Sequence, residues 1–143
     1  MYEELRERFA ASAFHSGSGM ELERVEDGEV DVAIDLLRDH LNLQGTAHGG
    51  VLATLADTAM GIAYRTVLEP GSAHLTSTLS IAFLAAGGPG RVVARGRVVK
   101  RGRRFGYAEA DVLDARGELL ARATSTFTVL SGVRRSSSPT GAD

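Results

Sequence analysis

Residues 45–61, GTAHGGVLATLADTAMG, decide how the rest of the chain is read. From Gly49 onward the stretch is built from small and apolar residues, and it runs to about Val67 before Glu69-Pro70-Gly71 stops it. A helix this apolar belongs inside a fold rather than on its surface. Yet Asp57 sits two turns in, far from either end, and an unpaired carboxylate is costly to bury. Two readings are open. Asp57 closes a buried polar gap, or it is a working group on an edge where Thr54, Thr58 and Tyr64 also interrupt the apolar surface.

The surroundings predict a sheet for this helix to lie against. Residues 2 to about 11 form a short helix with Leu5 and Phe9 on one face, followed by a small-residue link, Ser12 to Gly19. Met20–Val25 and Val30–Leu36 read as strands joined by a hairpin at Glu26-Asp27-Gly28. After the helix come Ala73–Leu84, Arg91–Lys100, Phe105–Leu113 and Leu119–Leu130, separated by glycine-rich or charged turns. In the first of these, Leu75, Leu79, Ile81 and Phe83 share one parity, while Thr76, Thr78 and Ser80 share the other. Consecutive strands with short turns predict an antiparallel sheet, hence an α+β fold curled round one long central helix. The chain divides as 1–19 (helix and link), 20–130 (the domain) and 131–143, a tail without a core pattern that is expected to be disordered.

With 143 residues the chain makes one domain. Its composition, 43% hydrophobic and 24% charged, is that of an ordinary globular protein, and its net charge of −2 argues against a dedicated nucleic-acid partner. There are no cysteines, so disulfides and thiolate metal sites are excluded. The four histidines lack metal-ligand spacing, and there is no serine-hydrolase elbow or P-loop. No apolar run is long enough for a membrane span, and the N-terminus is unlike a signal peptide, so a cytoplasmic location is expected.

Gly49 and Gly50 fall where the helix starts. Free N–H groups there, with the helix dipole behind them, suit a developing oxyanion, and glycine lets a ligand come close to the backbone. A tight turn into the helix is the plainer explanation. If the first reading holds, geometry adds a condition. Gly49 and Asp57 are eight residues apart, about 12 Å along a helix axis. One side chain cannot span that, so the pair can act on one carbonyl only if a second copy lays its helix alongside in the opposite direction.

Asn42-x-x-Gly45-x-x-His48-Gly49-Gly50, followed by Leu55-Ala56-Asp57-Thr58, resembles the hotdog-fold acyl-CoA thioesterases of the PaaI (phenylacetate-pathway) type. Residues 75–84 (LTSTLSIAFL), 99–104 (VKRGRR) and 117–124 (GELLARAT) are similar to the same family, so that the likeness spans roughly residues 20 to 130. The resemblance implies a hotdog fold, paired into dimers and often tetramers, with no cofactor other than the coenzyme A thioester itself. It implies that Asp57 is the nucleophile or general base and that the Gly49 amide polarises the thioester carbonyl. Asn42 and His48 would support that site, and Thr76 would place water or substrate. Phe83 would lie along the ligand path. The chain departs from common relatives at Ala85-Ala86, where Arg-Pro is frequent, which affects local substrate contacts.

Between Arg91 and Arg104 stand seven basic residues and no acidic one. A charged strand edge and a clamp for the coenzyme A phosphates both fit, while the few aromatics make RNA a poorer partner. The resemblance favours the clamp for Lys100, Arg101, Gly102, Arg103, Arg104 and Phe105. The expected activity is hydrolysis of an acyl- or aryl-acyl-CoA, phenylacetyl-CoA or a hydroxylated derivative among them. A non-catalytic acyl-CoA binder and a hotdog 3-hydroxyacyl thioester dehydratase are the rivals.

Overall fold

The computed structural model describes residues 2–130. The element order is α1 (Glu3–Ala11), α2 (Ala13–Gly17), β1 (Met20–Glu26), β2 (Glu29–Leu36), a 3-10 turn (Arg38–His40), α3 (Gly49–Val67), β3 (Ala73–Phe83), β4 (Gly90–Arg101), β5 (Phe105–Asp114) and β6 (Leu119–Leu130). The six strands form one sheet in the order β1-β2-β4-β5-β6-β3, with every neighbouring pair antiparallel. The sheet wraps α3, as the sequence predicts. The tail beyond Leu130 lies outside the described residues.

Small side chains let helix and sheet approach closely. Leu52, Leu55, Ala56, Ala59, Met60, Ala63 and Tyr64 form the fully buried face of α3. Ala94 and Gly96 of β4, Ala108 and Ala110 of β5, and Ala121 and Ala123 of β6 are buried opposite it. The tightest point is Gly96, where a Cβ would lie 2.6 Å from the Ala59 carbonyl carbon. Tyr64 is stacked on Phe127 with ring centroids 4.8 Å apart, and it occupies the space that a side chain at Gly106 would need. Tyr64 is therefore a core residue.

The opposite face of the sheet is paved with paired charges. Arg24 bonds Glu26 at 2.8 Å and Glu29 at 2.6 Å, Arg122 meets Asp111 at 2.8 Å, and Arg97 meets Glu109. Arg91 gathers Glu21, Glu23 and Asp35. Such exposed pairs add little stability each but keep the face wetted.

Two local features differ from the sequence expectation. The link after α1 is helical: Ser12 caps α2 by accepting the His15 N–H on its hydroxyl. Sequence patterning missed it because five residues carry too little periodicity. The second is a bulge in β3 between Thr76 and Thr78. Thr76 is opposite Phe127, whereas Leu79, Ile81 and Phe83 are opposite Ser125, Ala123 and Ala121. The extra residue moves Thr76 onto the helix-facing side with Leu79, Ile81 and Phe83, and leaves Leu75 on the other side, exposed.

Candidate active site

Asp57 is half-buried on the flank of α3, and its environment is specific. The Thr76 hydroxyl donates to its Oδ1 at 2.9 Å, a contact that exists only because of the bulge. Oδ2 has no hydrogen-bond partner among the described residues. One carboxylate oxygen is anchored and the other is open. The carboxylate borders a cavity of about 680 Å³ between α3, the first residues of β3 and the N-terminal helices. Thr58, Gly61 and Ile62 share this wall with it.

His74, two residues before Thr76, lines the same cavity and packs edge-on against Tyr64 and Phe127 at 5.5 and 5.4 Å. Burial, then the Arg65 charge, push its pKa below the ordinary histidine value; the Asp57 charge and a hydrogen bond with the Gly61 backbone partly offset this. The ring is therefore neutral where a free histidine would begin to charge. Its Nδ1 is buried with no hydrogen-bond partner among the described residues. No motif pointed to His74; its place at a strand start beside the helix is a tertiary fact.

The other predicted residues gather at the start of α3. His48 is the N-cap, and its Nδ1 accepts the Gly50 N–H at 2.9 Å, which places the ring proton on Nε2. Its own N–H is bound to the His40 carbonyl at 2.9 Å. The Gly49 amide has no partner among the described residues. Asn42 folds the preceding loop: its Oδ1 accepts the N–H groups of Gln44 and Thr46, and its amide donates to the Thr46 hydroxyl at 2.9 Å. The Phe83 ring stands over Gly49, so that a Cβ there would be 3.1 Å from its Cζ. Asn42, His48, Gly49 and Phe83 thus form one group, and Asp57 with Thr76 another, two turns further along the same helix.

The basic stretch divides in two. Arg91 and Arg97 spend their charge on the outer sheet face, and Arg95 lies 3.9 Å from Asp31 there. Lys100, Arg103 and Arg104 have no ion-pair partner among the described residues, while Arg101 meets Glu69 at 2.8 Å. The turn through Gly102 lies beside Leu68–Ser72, past the far end of α3 from Gly49, and Phe105 is 65% exposed. No group of three or more metal-ligating side chains occurs among the described residues, and none of their helices is long and apolar enough to cross a membrane.

This arrangement, one sheet rolled round a helix that carries a lone carboxylate and a free amide at its start, is that of a hotdog thioesterase. Residues 44–121 match the thioesterase superfamily, and the chain belongs to that family, whose chemistry is thioester hydrolysis. A candidate esterase of Halobacterium salinarum is 34% identical over 122 residues, covering 78% of this chain and 80% of its own. Among solved structures, a mutant of the phenylacetic acid degradation protein PaaI from Thermus thermophilus is 33% identical with a TM-score of 0.76, covering 83% of this chain and 100% of that one. The E. coli PaaI protein, from the phenylacetic acid degradation operon, shares the fold with a TM-score of 0.84 at 22% identity over 92% of this chain and 94% of its own. The chain is similar to these PaaI-type proteins.

Proposed function

We propose that the protein is an acyl-CoA thioesterase working as a dimer or a dimer of dimers, with each active site built from two chains. The observation that carries this reading is the half-anchored Asp57, with Oδ1 held by Thr76 and Oδ2 open beside a cavity. The carboxylate acts through the open oxygen. It either takes a proton from water as that water attacks the thioester carbonyl, or attacks the carbonyl itself to give an anhydride that water then opens. In both routes the carbonyl π-electrons move onto oxygen, and the collapse of that oxyanion expels the coenzyme A thiolate. No strong acid is needed for such a leaving group.

The oxyanion donor is the Gly49 amide of the partner chain. α3 runs unbroken from Gly49 to Val67, so the donor and the carboxylate of one chain are about 12 Å apart along its axis. An antiparallel neighbour that brings its Gly49 to Asp57 places the two-fold axis at Ala53, four residues from each. The half-buried stripe on that flank includes Ala53, Thr54, Asp57, Thr58 and Gly61, mostly small enough for two helices to touch. The β3 edge beside it has no strand partner, and it exposes Leu79 and Phe83. Both features support a second copy as the occupant. Lys100, Arg103 and Arg104, with Arg101, supply the cationic turn for the nucleotide phosphates of coenzyme A. The PaaI names of the structural relatives support aryl-acetyl groups as substrates.

The test is thiol release from acetyl-, hexanoyl-, phenylacetyl- and hydroxyphenylacetyl-CoA by wild type and Asp57→Asn. Equal rates for the two proteins would remove Asp57 from catalysis. Saturable binding without thiol release would make the protein a binder, and a 2-enoyl product from a 3-hydroxyacyl thioester would make it a dehydratase.

A further inference from the structure

The cavity beside Asp57 has a wall that the hotdog roll does not supply. β1 and β3 are the two edges of the sheet, and they flank opposite sides of α3. The N-terminal helices run across the gap between these edges. Arg6 ties them to the β1 side by donating to the Leu22 carbonyl at 2.7 Å, and Phe9 is buried with the core. On the other side Leu5, Phe9, Phe14 and His15 line the cavity whose remaining walls carry Asp57, Ile62, Leu75 and Thr76.

That wall is aromatic and ordered by its own contacts. Phe9 and His15 stack with ring centroids 4.2 Å apart and an interplanar angle of 7°, and Phe14 meets His15 edge-on at 5.6 Å. Burial lowers the His15 pKa, so its ring is a neutral, largely apolar surface near pH 7. Phe14 is 60% exposed, although it lines the cavity. A large apolar side chain held partly in water at a cavity mouth gains when an apolar group covers it. The enclosed volume falls within the range that binds small organic groups.

We infer that residues 3–17 form the acyl-recognition wall of the active site: the acyl group of the substrate lies against Leu5, Phe14 and the His15 ring, and these residues select compact apolar acyl groups. The inference rests on the thioesterase reading for its substrate, but the wall makes its own contact with ligand whether or not hydrolysis follows. The acetyl group is too short to reach the wall, whereas a ring or a branched chain reaches it. Selectivity between acetyl and larger acyl groups is therefore decided by the N-terminal segment, and the chemical step is left to Asp57.

Two measurements test it. The first is kcat/KM for acetyl-CoA and phenylacetyl-CoA with wild type, Phe14→Ala and Leu5→Ala. Loss of one apolar wall contact is expected to lower the phenylacetyl value by about tenfold while the acetyl value changes less than about twofold. Phe14 is exposed enough that its replacement leaves the core intact. The second is amide hydrogen exchange of residues 3–17 in Asp57→Asn, with coenzyme A alone and with phenylacetyl-CoA. Extra protection by the acyl form is expected. Protection without thiol release from any wild-type reaction would uphold the wall and end the hydrolase reading. Turnover with an unchanged phenylacetyl-to-acetyl ratio in both variants, or equal protection by coenzyme A alone, would overturn the wall.

Discussion

A pair of inactive variants that restore one another would locate the active site between chains. Asp57→Asn removes the working carboxylate but keeps its size. Gly49→Pro removes one N–H and little else, for three reasons. Gly49 is the first residue of α3, where proline is tolerated. The preceding His48 has φ −64° and ψ 130°, the extended geometry that a following proline requires. The Phe83 ring above it is 54% exposed and free to shift. Loss of one oxyanion donor costs about 10²- to 10³-fold in kcat, and loss of the base costs about 10²- to 10⁴-fold. When the two variants exchange subunits at equal concentration, half of the dimers are mixed, and each mixed dimer has one site with both groups and one with neither. Thiol release should therefore recover to about a quarter of the wild-type rate, far above either parent. Gly49→Ala, which keeps the amide and meets the same ring, is the control and should stay active. A mixture no faster than the average of its parents, or a fully active monomer, would refute the shared site.

Other perturbations follow from particular contacts. Thr76→Val preserves shape but removes the hydrogen bond to Asp57 Oδ1, and should lower kcat by about tenfold or more with little change in thermal midpoint. Gly96→Ala forces a methyl into the Ala59 backbone and should cost about 3 kcal/mol or prevent folding, read by chemical denaturation. His15 and His74 both have pKa values lowered from 6.5 on folding, so below about pH 6.5 the unfolded chain takes up protons that the native state refuses. Their stabilising effect is complete above that pH and is lost as the pH falls, so the thermal midpoint should drop between about pH 7.5 and 5. His74→Gln should flatten part of that slope.

The sequence carried the architecture because each long element has an unambiguous period. α3 and the last three strands were readable from spacing and turn residues alone, and their bounds in the structure lie within a residue of those expected. Asp57 and Gly49 were visible because each breaks a local rule, a charge in an apolar helix and a glycine pair at a helix start. What sequence could not show depends on two elements meeting. The pairing of Thr76 with Asp57 needs the β3 bulge, and strict alternation put Thr76 on the wrong face. The N-terminal helices look like a polar lead-in, and only their path across the gap between β1 and β3 places Phe14 and His15 beside the carboxylate. The basic stretch reads as one feature in the chain, but strand pairing assigns Arg91 and Arg97 to acidic neighbours on the outer face and leaves Lys100, Arg103 and Arg104 at a turn.

The extra residue in β3 also sets what kind of change the site tolerates. Thr76 and Phe83 are seven positions apart, an odd number, and in a regular strand they would look in opposite directions. Ser77 acts as a phase shift that brings both ends of one strand to bear on the same side of the sheet. The chemistry at either end can therefore vary by substitution while the other end is undisturbed, but the length between them cannot. Removing Ser77 would alter none of the side chains discussed, yet it would turn either the threonine or the phenylalanine away from the helix.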